Sequence, residues 1–258
     1  MSVRTQPADA QLRADSLVYA YAVVLADRTD AQTGRNSALV GSPSRGVAGE
    51  PVSYICAGSL AIALGVVPTG EFAPDPLSRR LRDPQQAAEL ATAHFAAVDA
   101  LFAGGDLLPL RMCTMFHDIA AARSSIEANH SSLAEAMRRV SRCAQWQLTI
   151  ESGPCEHQLA STVATSGADY LRRVGERQRG RESDAVQAAS LATTLHERVR
   201  PLVRVAHRDS ATRSTYLVPR SNTERFLHEI DVDRQSGATI VVGGPWAPYS
   251  FVPQVETS

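Results

Sequence analysis

The residues best equipped for chemistry stand in incomplete sets. His196-Glu197 begins the helical pattern that holds zinc between two histidines with a glutamate as general base, but Arg198, Val199 and Arg200 follow and the second histidine is missing. Asp231, Asp233 and Gln235 start like a calcium loop, yet Ser236 stands where the turn needs glycine and Val242 where it needs a bidentate carboxylate. Cys155 and His157 are close in sequence, but residues two apart rarely meet and nothing orients the imidazole. There is no Gly-x-Ser-x-Gly elbow and no Gly-x-Gly-x-x-Gly turn. No catalytic residue, cofactor-binding residue or metal ligand is expected.

All 26 basic residues are arginine. Without lysine the chain has no P-loop lysine, no kinase-type strand lysine and no Schiff base, because a guanidinium stays protonated. A formal net charge of −1 gives no global field for nucleic acid or an anionic membrane. Cys56, Cys113, Cys143 and Cys155 lie 57, 30 and 12 residues apart, without the close pairs of zinc or redox motifs, and read as buried structural thiols. The seven histidines are scattered and read as surface or helix-face residues. Apolar runs such as 60–67 are too short to span a bilayer, and the polar start lacks a secretory h-region, so a cytoplasmic protein is expected.

Two segments are unusual. Leu107-Leu108-Pro109-Leu110-Arg111-Met112-Cys113-Thr114-Met115-Phe116 sets one arginine in an apolar run, where a guanidinium must be paired or face outwards. Arg111 either fixes the loop before the next helix or meets a partner. Gly243-Gly244-Pro245-Trp246-Ala247-Pro248-Tyr249-Ser250-Phe251-Val252-Pro253 holds three aromatics and three prolines and should be extended and stiff. It either docks on the body or offers its rings to a partner.

The elements that carry these segments are legible. After a disordered 1–16, residues 17–25 form an aromatic and β-branched strand, and 27–50 a Gly/Ser/Pro-rich loop. Runs 51–56 and 60–67, around Ala57-Gly58-Ser59, predict a hairpin pairing with that strand, followed by a loop at 68–76. Asp83-Pro84 with Gln86 predicts a capped helix over 84–103, ended by Gly104-Gly105 in the left-handed region. One helix from Asp118 carries Ile119, Ile126, Leu133, Met137 and Val140 on a stripe.

From residue 144 the order is a strand over 144–151, helical composition over 154–202 with a bend or a solvated break near its glycines, hence one long helix or two, and strands at 202–207 and 214–219. A helix with a capping box at Ser221 and a strand at 239–242 complete it. That order is the split βαβ arrangement of ferredoxin-like folds.

These landmarks resemble the gas vesicle protein L/F family over about residues 17–252. They include Tyr19-Ala20-Tyr21, the turn Gly46-Val47-Ala48-Gly49-Glu50-Pro51-Val52, His94 with Val98, and Leu108-Pro109-Leu110-Arg111 through Thr114 and Phe116. The Trp146 strand, Ser166-Gly167-Ala168-Asp169-Tyr170-Leu171, Tyr216-Leu217-Val218 and the closing Gly244-to-Phe251 block complete the set. Departures are Met112-Cys113 for an aromatic and a glycine, Gln145 for an acidic residue, and Ala247 for a proline.

The resemblance implies an α+β protein with an N-terminal α+β domain, 17–143, and a C-terminal ferredoxin-like domain, 144–243. A tail, 244–258, would fold back on the body. It further implies no enzymatic activity, no cofactor, and binding of the small hydrophobic wall subunit or other gas vesicle accessory proteins during nucleation and assembly, with localisation to the cytoplasm and the vesicle. Arg111, Phe116, Trp246, Tyr249 and Phe251 are the residues expected at that contact. A minor structural component kept in the vesicle, or a ligand-binding or enzymatic ferredoxin-like protein, are the alternatives.

Overall fold

The computed structural model of the chain describes residues 15–28, 45–151, 167–234 and 239–253. It divides into two compact units, Met1–Arg142 with Ala247–Ser258, and Cys143–Trp246.

In the first unit, β1 (Ser16–Leu25) pairs antiparallel with the second strand of a hairpin, β2 (Ser53–Ala57) and β3 (Leu60–Pro68). Gly58 turns the hairpin at φ +65°, a conformation that favours glycine. The other edge of β1 takes β4 (Leu107–Pro109) and β5 (Met115–Phe116), giving the order β2-β3-β1-β4 with β5 also on β1. The hairpin therefore joins β1 through β3 alone. β1 is interior, and Val18 to Val24 are all fully buried, which is why its sequence is continuously apolar or aromatic.

The loop expected at 68–76 is instead helical: α1 (Thr69–Phe72) and α2 (Pro74–Arg82). Proline opens α2 at its first helical position, where a missing N–H costs nothing, and Asp75 favours the first turn. Phe72 is buried edge-on to the Tyr19 ring at 6.0 Å, so packing holds a turn too short to show periodicity.

α3 (Pro84–Ala103) begins as expected. Asp83 Oδ1 accepts from the N–H groups of Gln85 and Gln86, at 2.9 and 3.2 Å, and the Gln86 side chain returns to Asp83 Oδ2. At its end Gly104 keeps helical φ and Gly105 takes the positive one, φ +144°. The single helix expected from Asp118 is two, α4 (Ile119–Ala128) and α5 (His130–Val140). Asn129 leaves helical backbone between them, and its Nδ2 donates to the Ser125 carbonyl at 2.9 Å, an alternative that asparagine offers the chain. α3 and α4 both pack against β1.

The second unit runs β6 (Cys143–Glu151), α6 (Gly167–Val199), β7 (Val205–Arg208), β8 (Arg213–Pro219), α7 (Thr223–Arg234) and β9 (Thr239–Trp246). Its antiparallel order β7-β8-β6-β9 is the split βαβ topology that the sequence order predicts. Trp146, Leu148 and Ile150 lie buried on one face of β6, with Tyr216 of β8, Ile240 of β9 and Phe226 and Ile230 of α7 also in the core. The Phe226 ring meets those of Trp146 and Tyr216 at 6.0 and 5.7 Å.

α6 passes through Gly175 and Gly180 without a break. Among its described side chains the buried ones are Ala188, Ala192, Leu195 and Val199, in its C-terminal half. The capping box expected at Ser221 does not form: residues 220–222 make a 3-10 turn, and Asn222 Nδ2 donates to the Leu202 carbonyl. β9 continues past Val242 to Trp246, because a shift of register opposite Gln145 and Gln147 absorbs the glycines.

Candidate functional site

The turn Arg111–Thr114 is tied at both ends and in the middle. The Leu110 N–H donates to the Tyr21 carbonyl at 2.9 Å and the Ala20 N–H to the Thr114 carbonyl at 2.9 Å. Thr114 closes the turn with both its N–H and its Oγ1 on the Arg111 carbonyl, at 3.1 and 2.7 Å. The Cys113 N–H donates to the Tyr19 hydroxyl at 2.8 Å. Cys113 has φ +65°, a left-handed conformation that favours glycine.

Arg111 faces outwards, one of the two options its surroundings allow, and among the described residues its side chain has no hydrogen-bond or ion-pair partner.

Behind the turn stands a row of rings. His94 is fully buried on α3, and its Nδ1 lies 3.1 Å from the Tyr19 hydroxyl. Its ring stacks on Tyr21 at 6.0 Å and meets Phe95 at 5.5 Å. Desolvation pushes its pKa down to about 4, and the Leu110 carbonyl opposes this only weakly, since Nε2 makes no well-formed hydrogen bond. His94 lies on a helix face, as expected of the histidines, but on the buried one. His94 stands four residues from Leu90 and from Val98, on the stripe that α3 buries, and that spacing was the signal. Burial raises the Tyr19 and Tyr21 phenols well above their ordinary value.

The tail reaches this region. Ala247 and Pro248 are buried, and the Tyr249 ring packs edge-on against Phe95 at 5.5 Å. The Tyr249 hydroxyl is buried without a hydrogen-bond partner; desolvation first, then the Asp99 carboxylate, raises its pKa. Pro109, Leu110, Arg111 and Thr114 from the turn and Tyr249, Val252 and Pro253 from the tail line one pocket of about 80 Å³.

Of the five expected contact residues the fold thus brings Arg111 and Tyr249 together. Phe116 and Phe251 are 3% and 6% exposed and contribute packing, so neither presents a surface to a partner in this state. Trp246 belongs to the other unit, where it is 39% exposed and its ring lies over Gly243. Sequence reasoning missed Phe95, a helix-face residue that is 46% exposed yet supports Tyr249.

Among the described residues no three His, Cys, Asp or Glu side chains are grouped to hold a metal, and no helix is long and apolar enough to cross a membrane. His196 lies 3.2 Å from the Tyr216 hydroxyl. Cys143 is buried, Cys56 and Cys113 are half-buried, and Cys155, His157 and Asp233 lie outside the described side chains.

These features define an α+β protein in which a split βαβ unit follows a mixed unit, and the turn and tail meet on the latter. The chain belongs to the gas vesicle synthesis protein GvpL/GvpF family, which matches residues 17–253. It is 30% identical to gas vesicle protein L of Streptomyces sp. strain CB03234, over 92% of this chain and 93% of that one. Its fold is similar to crystal structures of GvpF from Anabaena sp. PCC7120, with a TM-score of 0.66 at 14% identity over 94% of this chain and 98% of that one. GvpF from Microcystis aeruginosa gives a TM-score of 0.60 at 14% identity over 91% and 98%. The family ties this chain to gas vesicle formation.

Proposed function

We propose that the protein is a non-enzymatic accessory factor that acts in the cytoplasm and at the growing vesicle. It binds the small hydrophobic wall subunit, other gas vesicle proteins, or both, during nucleation and assembly. A subunit destined for an ordered shell has to be held back from uncontrolled strand pairing until it joins, and a binding surface on an accessory protein does this without covalent chemistry. The observation that carries the reading is Arg111, without a partner among the described residues, on a tightly tied turn beside a pocket completed by Tyr249. Arginine and tyrosine are the residue types that anchor protein contacts most often. Trp246 supplies a second contact on the other unit.

The test is co-purification of the tagged full-length chain from vesicle-forming cells, read by mass spectrometry. Gas vesicle proteins should be recovered with the wild type and depleted with Arg111→Ala and Tyr249→Ala at unchanged circular dichroism. Recovery of none by the wild type overturns the reading.

A further inference from the structure

We infer that the Arg111 pocket takes an acidic side chain of a partner polypeptide: an Asp or Glu carboxylate on the guanidinium, with a neighbouring aliphatic side chain seated in the pocket. This rests on the accessory-binding reading above and names the chemistry of its ligand.

The argument starts from what Arg111 does not do. Its carbonyl is held by Thr114 twice, Leu110 before it by the Tyr21 carbonyl and Cys113 after it by the Tyr19 hydroxyl, so the turn needs nothing from the guanidinium. A non-glycine residue at φ +65° costs about 1 kcal/mol or more, and the turn carries it while leaving its one charged side chain unused. Among the described residues the lining is otherwise Pro109, Leu110, Thr114, Tyr249, Val252 and Pro253, with no acidic residue, so the charge of Arg111 meets no carboxylate within the lining. Another cation, Arg80, acts electrostatically on the Cys113 thiol and is itself paired with Glu71 at 3.3 Å.

Size narrows the class. A pocket of about 80 Å³ suits one small aliphatic side chain better than a nucleotide or an extended cofactor. A guanidinium beside an apolar wall matches a carboxylate beside an aliphatic group, since the planar fork binds both carboxylate oxygens.

The experiment is a selection of N-acetylated, C-amidated random heptapeptides on the full-length protein, followed by fluorescence anisotropy. Selected peptides should carry Asp or Glu next to Leu, Ile, Val or Met, and converting that acid to its amide should weaken binding about tenfold or more. Arg111→Gln should weaken it by the same factor at unchanged melting temperature, Arg111→Lys by less, and Val252→Asp should abolish it. Raising the salt should weaken it further. Selection of peptides without an acid, or binding within about twofold of wild type in Arg111→Gln, overturns the inference. If gas vesicle proteins still co-purify with Arg111→Gln as with the wild type, the inference falls and the accessory role stands. If the wild type recovers none, the role falls and the inference with it.

Discussion

The Tyr21 hydroxyl donates to Glu50 Oε1 while accepting the Val47 N–H at 2.9 Å, so one buried phenol on β1 closes the turn before the hairpin. Glu50 Oε2 takes the Ala48 N–H at 2.8 Å, and the Glu50 carbonyl takes that of Gly46 at 2.7 Å. A Cβ on Gly46 or Gly65 would run into the Glu50 carboxylate, which explains both glycines by close approach.

Tyr21→Phe removes a donor and an acceptor at once and leaves the Val47 N–H and one Glu50 oxygen unsatisfied. It should cost about 2 kcal/mol in urea unfolding, and Gly65→Ala a similar amount by forcing the carboxylate aside. A loss under about 0.5 kcal/mol in both variants would show that the turn does not depend on this pair.

His94 gives a pH dependence whose sign is fixed by burial. Its folded pKa is lowered to about 4 from 6.5, so the unfolded chain binds the proton more tightly between those values. Its contribution is therefore complete above about pH 6.5 and is lost progressively as pH falls through 4, by about 3 kcal/mol at most. The check is urea unfolding of wild type and His94→Gln from pH 7.5 to 4. The difference between the two curves isolates His94 from the carboxylates, and parallel curves would refute the assignment.

How much of this was legible follows from where the determinants lie. The order of elements along the second unit, the Asp83 cap and the continuous apolar run of β1 are local in sequence, and the residue pattern carries each. α1 and α2 were not, because Phe72 is held by a ring on β1 that no local pattern announces. Asn129 splits a continuous apolar stripe by a side-chain bond that competes with the helix, so periodicity could not mark it. At the candidate site, sequence chemistry selected Arg111 and Tyr249, which the fold joins. It also selected Phe116 and Phe251, whose aromatic character serves the core. Composition selects the residue type, and only packing decides which way the ring faces.

Gly244 offers a test confined to the second unit. It has φ +125°, and a Cβ there would stand 2.8 Å from the Gln145 carbonyl oxygen and 3.0 Å from the Trp146 ring. Gly244→Ala must therefore strain the backbone and part β9 from β6, at a cost of about 2 kcal/mol or more. Tryptophan fluorescence should report an earlier unfolding transition, and an unshifted one would show that the register opposite Gln145 is not fixed by this glycine.

Cys113 decides whether the turn is built for geometry or for the thiol. Burial raises its pKa, with the Tyr19 contact and Arg80 opposing, so slow alkylation at pH 8 is expected in a mass-spectrometric time course. At φ +65° a β-branched side chain is worse than cysteine, whereas glycine relieves the strain. Cys113→Val should destabilise by about 2 kcal/mol and weaken recovery of gas vesicle proteins, because it displaces Arg111 two residues away. Cys113→Gly should keep stability within about 1 kcal/mol and preserve recovery, since the Cys113 N–H to Tyr19 bond is a backbone bond that survives the change. If glycine instead abolished recovery at normal stability, the sulfur would be the functional atom and the turn only its support.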